Sequence, residues 1–201
     1  MTPMNLDSIV NAKKNNIVYL QKNAFKNILN WEDFYKMFLL AYMKKRIDFI
    51  SFASMNIDRC DDLNEKFNPI IKDLSKIHPG KYISALSIIH LISKDNLMVN
   101  NSYYDKFYKN FIKVNPNKQN NLQTSDDIFT PKIHKDEVDG FFIQCEGKTK
   151  WNIYYADSPE TYILNEGDLL YIPSGITHSV FSLSPRAAIS ISFSNASENQ
   201  L

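Results

Sequence analysis

Two histidines and one aspartate carry the most clearly marked chemistry in this 201-residue sequence. His134 and Asp136 stand two residues apart, so on an extended strand both side chains leave the same face. A neutral imidazole beside a carboxylate is two thirds of the facial triad that holds non-haem Fe(II) with coordination positions left open. The third ligand is expected well downstream, on a strand folded back beside the first. His178 is the only histidine after His134, and it follows the turn Pro173-Ser174-Gly175. The remaining histidines, His78 and His90, lie in the N-terminal half and read as structural or surface residues.

Such a triad needs strands to hold it, and the sequence supplies them in its last third. β-like runs at 141–146, 149–155, 160–164, 168–172, 178–183 and 186–193 are separated by Gly147, the Asp157-Ser158-Pro159 cluster, Asn165-Glu166-Gly167, Pro173-Ser174-Gly175 and Ser184-Pro185. Short strands with tight turns predict an antiparallel barrel or sandwich of jelly-roll type. The N-terminal part reads differently. A short strand is expected at 16–20, and Asn30 caps a helix over 31–46 in which Trp31, Phe34, Tyr35, Phe38, Ala41 and Tyr42 recur at helical spacing. A strand follows at 47–53 and a helix at 61–77, interrupted by Pro69. The run 83–92 fits either period, and 103–114 carries an aromatic stripe (Tyr104, Phe107, Tyr108, Phe111) expected to face the core. Residues 115–127 are polar and without hydrophobic period, a loop just ahead of the metal-ligand segment. The chain is expected to form one domain over 1–201: strands and helices over 1–114, the loop at 115–127, and a metal-binding core over 128–195.

Composition removes other classes. Lys and Arg total 23 against 22 Asp and Glu, a formal charge of +1, which speaks against a dedicated nucleic-acid surface. Two cysteines, Cys60 and Cys145, allow neither a disulfide framework nor a thiolate zinc cage. The five glycines form no GxGxxG, GxxxxGK[ST] or GxSxG pattern, which removes Rossmann oxidoreductases, P-loop NTPases and ordinary α/β-hydrolases. No apolar run approaches the ~20 residues of a membrane span, and the opening MTPMNLDSIVNAKK lacks the order of a secretion signal, so a cytoplasmic protein is expected.

Residues 134–154 (HKDEVDGFFIQCEGKTKWNIY) resemble the core of the JmjC/cupin-like 2-oxoglutarate oxygenases, and 164–179 (LNEGDLLYIPSGITHS) is similar to that family's GDxLYIPxGxxH stretch, which ends in the distal iron ligand. The resemblance is strong over about 130–193 and weaker over 17–38, where a strand and then Asn30-Trp31 leading a helix look like the opening of such domains. It implies a mainly β fold with helices, a double-stranded β-helix of cupin/JmjC type wrapped by N-terminal helices. It also implies Fe(II) held by His134, Asp136 and His178, 2-oxoglutarate as cosubstrate, O2 as oxidant, and hydroxylation of a protein or peptide side chain.

In that family a Lys or Arg fifteen residues after the first ligand usually anchors the far carboxylate of 2-oxoglutarate; that position is Thr149 here, flanked by Lys148 and Lys150. Strand parity turns both lysines outward unless a bulge after Gly147 brings one in. Arg186 is the second candidate. It shares a strand face with Ala188, Ser190 and Ser192, small residues that suit a polar cavity, and an arginine there can take a carboxylate bidentately. Thr149, Lys150, Arg186 and Ser192 are therefore the candidate cosubstrate-binding residues. Two other readings stand beside the oxygenase: a metal-dependent cupin dioxygenase or isomerase acting on a small chelating molecule without 2-oxoglutarate, and a cupin-type binding module without turnover. A homodimer, if formed, would use the helical half.

Overall fold

The computed structural model describes residues 4–51, 54–58, 64–78, 82–91, 101–114, 133–156 and 158–194. The polar loop expected at 115–127 lies outside them. Among the described residues four helices and eleven strands follow in chain order: α1 (Leu6–Lys14), β1 (Tyr19–Gln21), α2 (Trp31–Met43), β2 (Ile47–Ser51), β3 (Ser54–Asp58), α3 (Asn64–Ser75), β4 (Tyr82–His90) and α4 (Ser102–Val114) precede β5 (His134–Lys135), β6 (Asp139–Glu146), β7 (Thr149–Tyr154), β8 (Pro159–Leu164), β9 (Leu169–Ile172), β10 (Thr177–Ser182) and β11 (Arg186–Ser194).

All the strand pairings are antiparallel. A seven-stranded sheet runs in the order β1-β9-β6-β11-β4-β3-β2, and a four-stranded sheet runs β5-β10-β7-β8. The two sheets face each other across an apolar layer of Phe142, Trp151, Ile153, Leu170 and Ile172. The opposite face of the large sheet carries Phe141, Ile143, Ile189, Ile191 and Phe193 and packs under the helices. Alternate residues of β6 and β11 thus enter different cores, and both cores depend on the period-2 pattern being kept. The ambiguous run 83–92 resolves as β4, because it lies between β11 and β3 and is paired on both sides.

Local chemistry explains the helix positions. Asn30 and Asp33 form a reciprocal capping box at the start of α2, with Asn30 Oδ1 accepting from the Asp33 amide and Asp33 Oδ2 accepting from the Asn30 amide. The helix stops at Met43, short of the expected 46, because Lys45 turns into the left-handed region at φ 55°. α2 and α4 pack through the aromatic stripe: Trp31 meets Tyr104 edge-on at 5.2 Å, and Phe107 lies 4.9 Å from Phe38. α1, capped by Asn5, forms in a stretch where the sequence pattern predicts no helix; it packs against β1 at the edge of the large sheet and buries only Ile9 and Ala12. At the β6–β7 turn Gly147 sits at φ 74°, where a Cβ would fall 1.9 Å from the Pro185 carbonyl oxygen, so only glycine fits.

Glu146 ties helix to sheet. Its Oε1 accepts from the Trp31 amide at 3.0 Å, at the positive end of α2. Burial, then the neighbouring Glu166, push its carboxyl up to about 7 from an ordinary 4.5, although the Trp31 amide opposes them. A carboxyl raised in the folded state favours folding below its unfolded value, and that contribution is lost as pH rises through about 7. Glu146→Gln is therefore expected to gain in Tm relative to the wild type on going from pH 5 to pH 8. Scanning calorimetry of both proteins at the two pH values checks it, and a Tm difference independent of pH contradicts it.

Candidate metal centre

His134 forms β5 with Lys135, a two-residue strand whose place is fixed by β10. In that pairing His134 stands directly opposite His178, and His178 is in turn opposite Ile153 of β7. Directly opposed residues of antiparallel strands point to the same side. Ile153 is fully buried between the sheets, so both imidazoles turn toward the interior. Asp136 follows two residues after His134 and completes the group. One ligand atom from each of His134, Asp136 and His178 lies within 4.8 Å of the others. The His134 and His178 Nε2 atoms are 3.8 and 3.7 Å from the two carboxylate oxygens of Asp136, and the rings are 4.4 Å apart.

The donor set fits a divalent transition metal. His178 Nδ1 is 3.0 Å from the Ile176 carbonyl oxygen, which can only accept, so Nδ1 bears the proton and the Nε2 lone pair is left toward Asp136. Burial holds the His178 imidazole below its ordinary value, with His134 adding to the effect against the Ile176 bond and Asp136. Trp151 and Phe142 wall it at 5.7 and 6.4 Å. His134 and Asp136 remain partly exposed, so the group is apolar on one side and open on the other. Two imidazole nitrogens and one carboxylate on a single side of a point are the arrangement that leaves the other positions for ligands.

A second polar group lies at the far end of β10. Arg186 is 6% exposed, and its Nε donates to Ser182 Oγ at 2.9 Å. Ser182 Oγ also lies 2.8 Å from His90 Nδ1, and His90 stands opposite Arg186 in the β4–β11 pairing. Burial alone lowers the guanidinium to about 10, still charged at neutral pH. No carboxylate pairs with it among the described residues. Burial and then Arg186 depress His90 to about 4, so its imidazole is neutral. His90, expected to be structural or at the surface, is half-buried and hydrogen-bonded within this polar group. Its link to Arg186 depends on the pairing of β4 with β11, which the ambiguous period of 83–92 does not reveal.

The other candidates fall on both sides of the barrel wall. Ser192 and Ser190 share the inner face of β11 with Arg186 and Ala188; Ser190 is opposite Phe142 and Ser192 opposite Gly140. Thr149 also faces inward and is fully buried, but its hydroxyl is committed: it donates to Gln144 Oε1 at 3.0 Å and accepts from Trp151 Nε1 at 3.1 Å. Lys150 does not join the site. The β7 pairings show no register shift, so the bulge that would have turned it inward is absent, and its Nζ lies 4.8 Å above the Phe181 ring on the outer face. A shift does occur between β11 and β6, where consecutive Ala187 and Ala188 face Glu146 and Gln144 and Cys145 of β6 is the extra residue.

Residues 156–201 match the family model for the JmjC domain. Among solved structures, YcfD, a ribosomal oxygenase from Escherichia coli, is similar over 98% of this chain and 53% of its own, with a TM-score of 0.61 at 13% identity. Its complex with cobalt and 2-oxoglutarate is similar over 97% of this chain and 53% of that one, with a TM-score of 0.59 at 14% identity. Its complex with cobalt and succinic acid gives 98%, 53%, 0.61 and 14% for the same quantities. The chain therefore spans about half the length of the solved structures it matches, and at this identity the likeness is one of fold. Among curated proteins none matches. The fold is of the JmjC/cupin type implied by residues 134–154 and 164–179.

Because Thr149 sits in a closed hydrogen-bond chain, its removal leaves the Trp151 N–H and Gln144 Oε1 buried without it. Thr149→Val, nearly isosteric, is expected to destabilise by about 1–3 kcal/mol. A lowered urea midpoint at unchanged slope is the readout; an unchanged midpoint would show the chain contributes nothing to stability.

Proposed function

We propose that this protein is an Fe(II)- and 2-oxoglutarate-dependent oxygenase that hydroxylates a C–H bond of a protein or peptide side chain. One observation carries the reading: a two-histidine, one-carboxylate group and a buried arginine with no carboxylate partner among the described residues occupy the same inner surface of a JmjC-type barrel. The solved YcfD complex with cobalt and 2-oxoglutarate supports it by analogy of fold. When bound, the metal with 2-oxoglutarate supplies oxidative decarboxylation, with O2 consumed, succinate and CO2 released and a hydroxyl delivered to the substrate carbon.

The chain's own residues have separable tasks. His134, Asp136 and His178 hold the metal from one side. Asp136 offsets part of its charge, and the Ile176 carbonyl keeps the His178 ring in the tautomer and orientation that ligation needs. Trp151 and Phe142 exclude water from the buried side of His178. Arg186 holds the far carboxylate of the cosubstrate. Four residues separate Ser182 from His178 along β10, about 13 Å at ~3.3 Å per residue, a gap that imidazole and guanidinium narrow from its two ends. Ser182 takes the Arg186 Nε–H, which orients the guanidinium, and a neutral His90 leaves the carboxylate's charge to Arg186 alone. The burial that depresses Arg186 is relieved when an anion joins it, so charge pairing in this dry site is stronger than at a surface. Ser190 and Ser192 line the wall between the two ends.

Thr149 has no anchoring task in this assignment, since its hydroxyl is used within the wall. Anaerobic titration of Fe(II)-loaded protein with 2-oxoglutarate tests the proposal through the weak visible charge-transfer band of the chelate. The band is expected in the wild type and absent in His134→Ala. Arg186→Leu is expected to need roughly 30-fold or more 2-oxoglutarate, the loss of about 2 kcal/mol or more for truncating one side of a buried charge pair. Iron uptake without a band at any concentration would remove 2-oxoglutarate and leave a cupin enzyme acting on a chelating small molecule. Failure to take up iron would leave a binding module.

A further inference from the structure

Outside the ligand group, one buried charged cluster adjoins it through the backbone. Asp139 opens β6, three residues after Asp136. Its Oδ1 accepts from the Ser174 amide at 2.9 Å, and its Oδ2 lies 3.2 Å from His78 Nε2 and 3.3 Å from Lys13 Nζ. Lys13 Nζ is 2.8 Å from His78 Nδ1. Lysine has only donors to offer, so His78 Nδ1 accepts and its Nε2–H points at Asp139. The His78 ring is held between two aromatics, stacked on Phe193 at 4.4 Å and edge-on to Phe141 at 5.9 Å. Burial pushes the Asp139 carboxyl up, but the Ser174 amide, Lys13 and His78 outweigh it and hold the group ionised.

Ser174 belongs to the turn between β9 and β10, the turn that delivers His178. The same turn is fixed a second time, by the Gly175 amide donating to the Asp136 carbonyl oxygen at 2.7 Å, with Gly175 at φ 79°. One residue further, Ile176 supplies the carbonyl that orients His178. The turn is thus bolted at consecutive amides to the segment carrying Asp136, and one of those bolts ends on a carboxylate whose position is set by Lys13 of α1 and by His78, three residues beyond the end of α3.

We infer that Asp139 is a positioning residue for the metal centre: it clamps the β9–β10 turn through the Ser174 amide, with His78 and Lys13 fixing the carboxylate, and so sets His178 against His134 and Asp136. The inference rests on reading those three residues as metal ligands. It assigns His78, buried against Phe141 and Phe193, a role in metal affinity, and it makes the N-terminal helix part of the site's support. Removing partners that orient ligands typically lowers metal affinity about 10–100-fold.

The test uses Co(II) in place of Fe(II), read by its visible d–d absorption and by competition for the ion. Asp139→Ala is expected to weaken Co(II) binding at least tenfold and to alter the band pattern. Asp139→Asn keeps an oxygen for the Ser174 amide and is expected to bind within about threefold of wild type, even where its Tm is lower for the lost charge pairing. The same clamp predicts that in metal-free wild-type protein the Ser174 and Gly175 amides exchange as slowly as strand amides, and that only the Ser174 amide loses protection in Asp139→Ala. A folded Asp139→Ala that binds Co(II) within twofold of wild type with an unchanged spectrum overturns the inference. Should that variant not fold, rapid exchange at Ser174 in the wild type overturns it and slow exchange supports it. Wild-type protein that takes up no Co(II) defeats the metal reading instead, while exchange in the metal-free protein still decides the clamp.

Discussion

The antiparallel register between β5 and β10 is the constraint from which the rest of the architecture follows. It sets His134 opposite His178, and because β10 also pairs with β7, His178 stands opposite the buried Ile153 and the three residues form one cross-strand row. A slip of one residue would carry all the inner side chains of β10 to the outer face at once: His178, Val180 and Ser182 would exchange places with Thr177, Ser179 and Phe181. The slip is opposed by features well away from the histidines. Phe181 lies under Lys150, Tyr154 reaches the Ser179 hydroxyl, and the Leu183 amide returns to the Lys148 carbonyl. A two-residue strand such as β5 has almost no stability of its own, so its position is inherited from this neighbour.

Division of labour between strand faces is the second level. β6 and β11 carry apolar side chains outward to the helices on one parity and a mixed inner set on the other. The helical core is therefore free to supply stability, through packed aromatics such as Trp31, Phe38, Tyr104 and Phe107, while the inner face tolerates a buried arginine, serines and a threonine. An unpaired buried charge is costly unless something joins it. Ser182 gives Arg186 a hydrogen bond, no carboxylate among the described residues compensates its charge, and that deficit is what the proposed cosubstrate would remove.

Much of this was legible in the sequence, and the parts that were not share a cause. The alternation in 149–154 and 186–193 marked inner and outer residues correctly, so Lys150 could be expected outside in the absence of a bulge and Arg186 on the serine face. The HxD spacing and the turn before His178 marked the three side chains that the structure brings together, His134, Asp136 and His178, because the period of two and the proline-glycine signal are local. His90 and Asp139 were not marked, because their partners are 92 and 61 residues away, in His90–Ser182 and Asp139–His78, and only tertiary pairing brings them together. For 83–92 the obstacle was different: a strand paired on both sides, with helices over one face, loses the polar alternation that would separate it from a buried helix. α1 was missed because its two buried residues give too narrow a stripe to stand out in a polar sequence.

The position of Thr149 joins these levels. A cation at that place on β7 would lie on the inner face between Gln144 and Trp151, where the present threonine completes a chain from Trp151 through Gln144 to the Glu146 carbonyl oxygen. Arg186 enters from β11 instead, reached by the turn at Ser184-Pro185, and meets β10 through Ser182. An anion held between a metal and a guanidinium needs the guanidinium at the closed end of the barrel and on its inner face, but it does not need a particular strand, because several strands finish there. Under the proposed function the two arrangements are alternatives that exclude each other: a basic side chain at both positions would set two cations against one carboxylate in a dry interior, and the threonine's closed hydrogen-bond chain is what keeps the β7 position neutral once Arg186 is present.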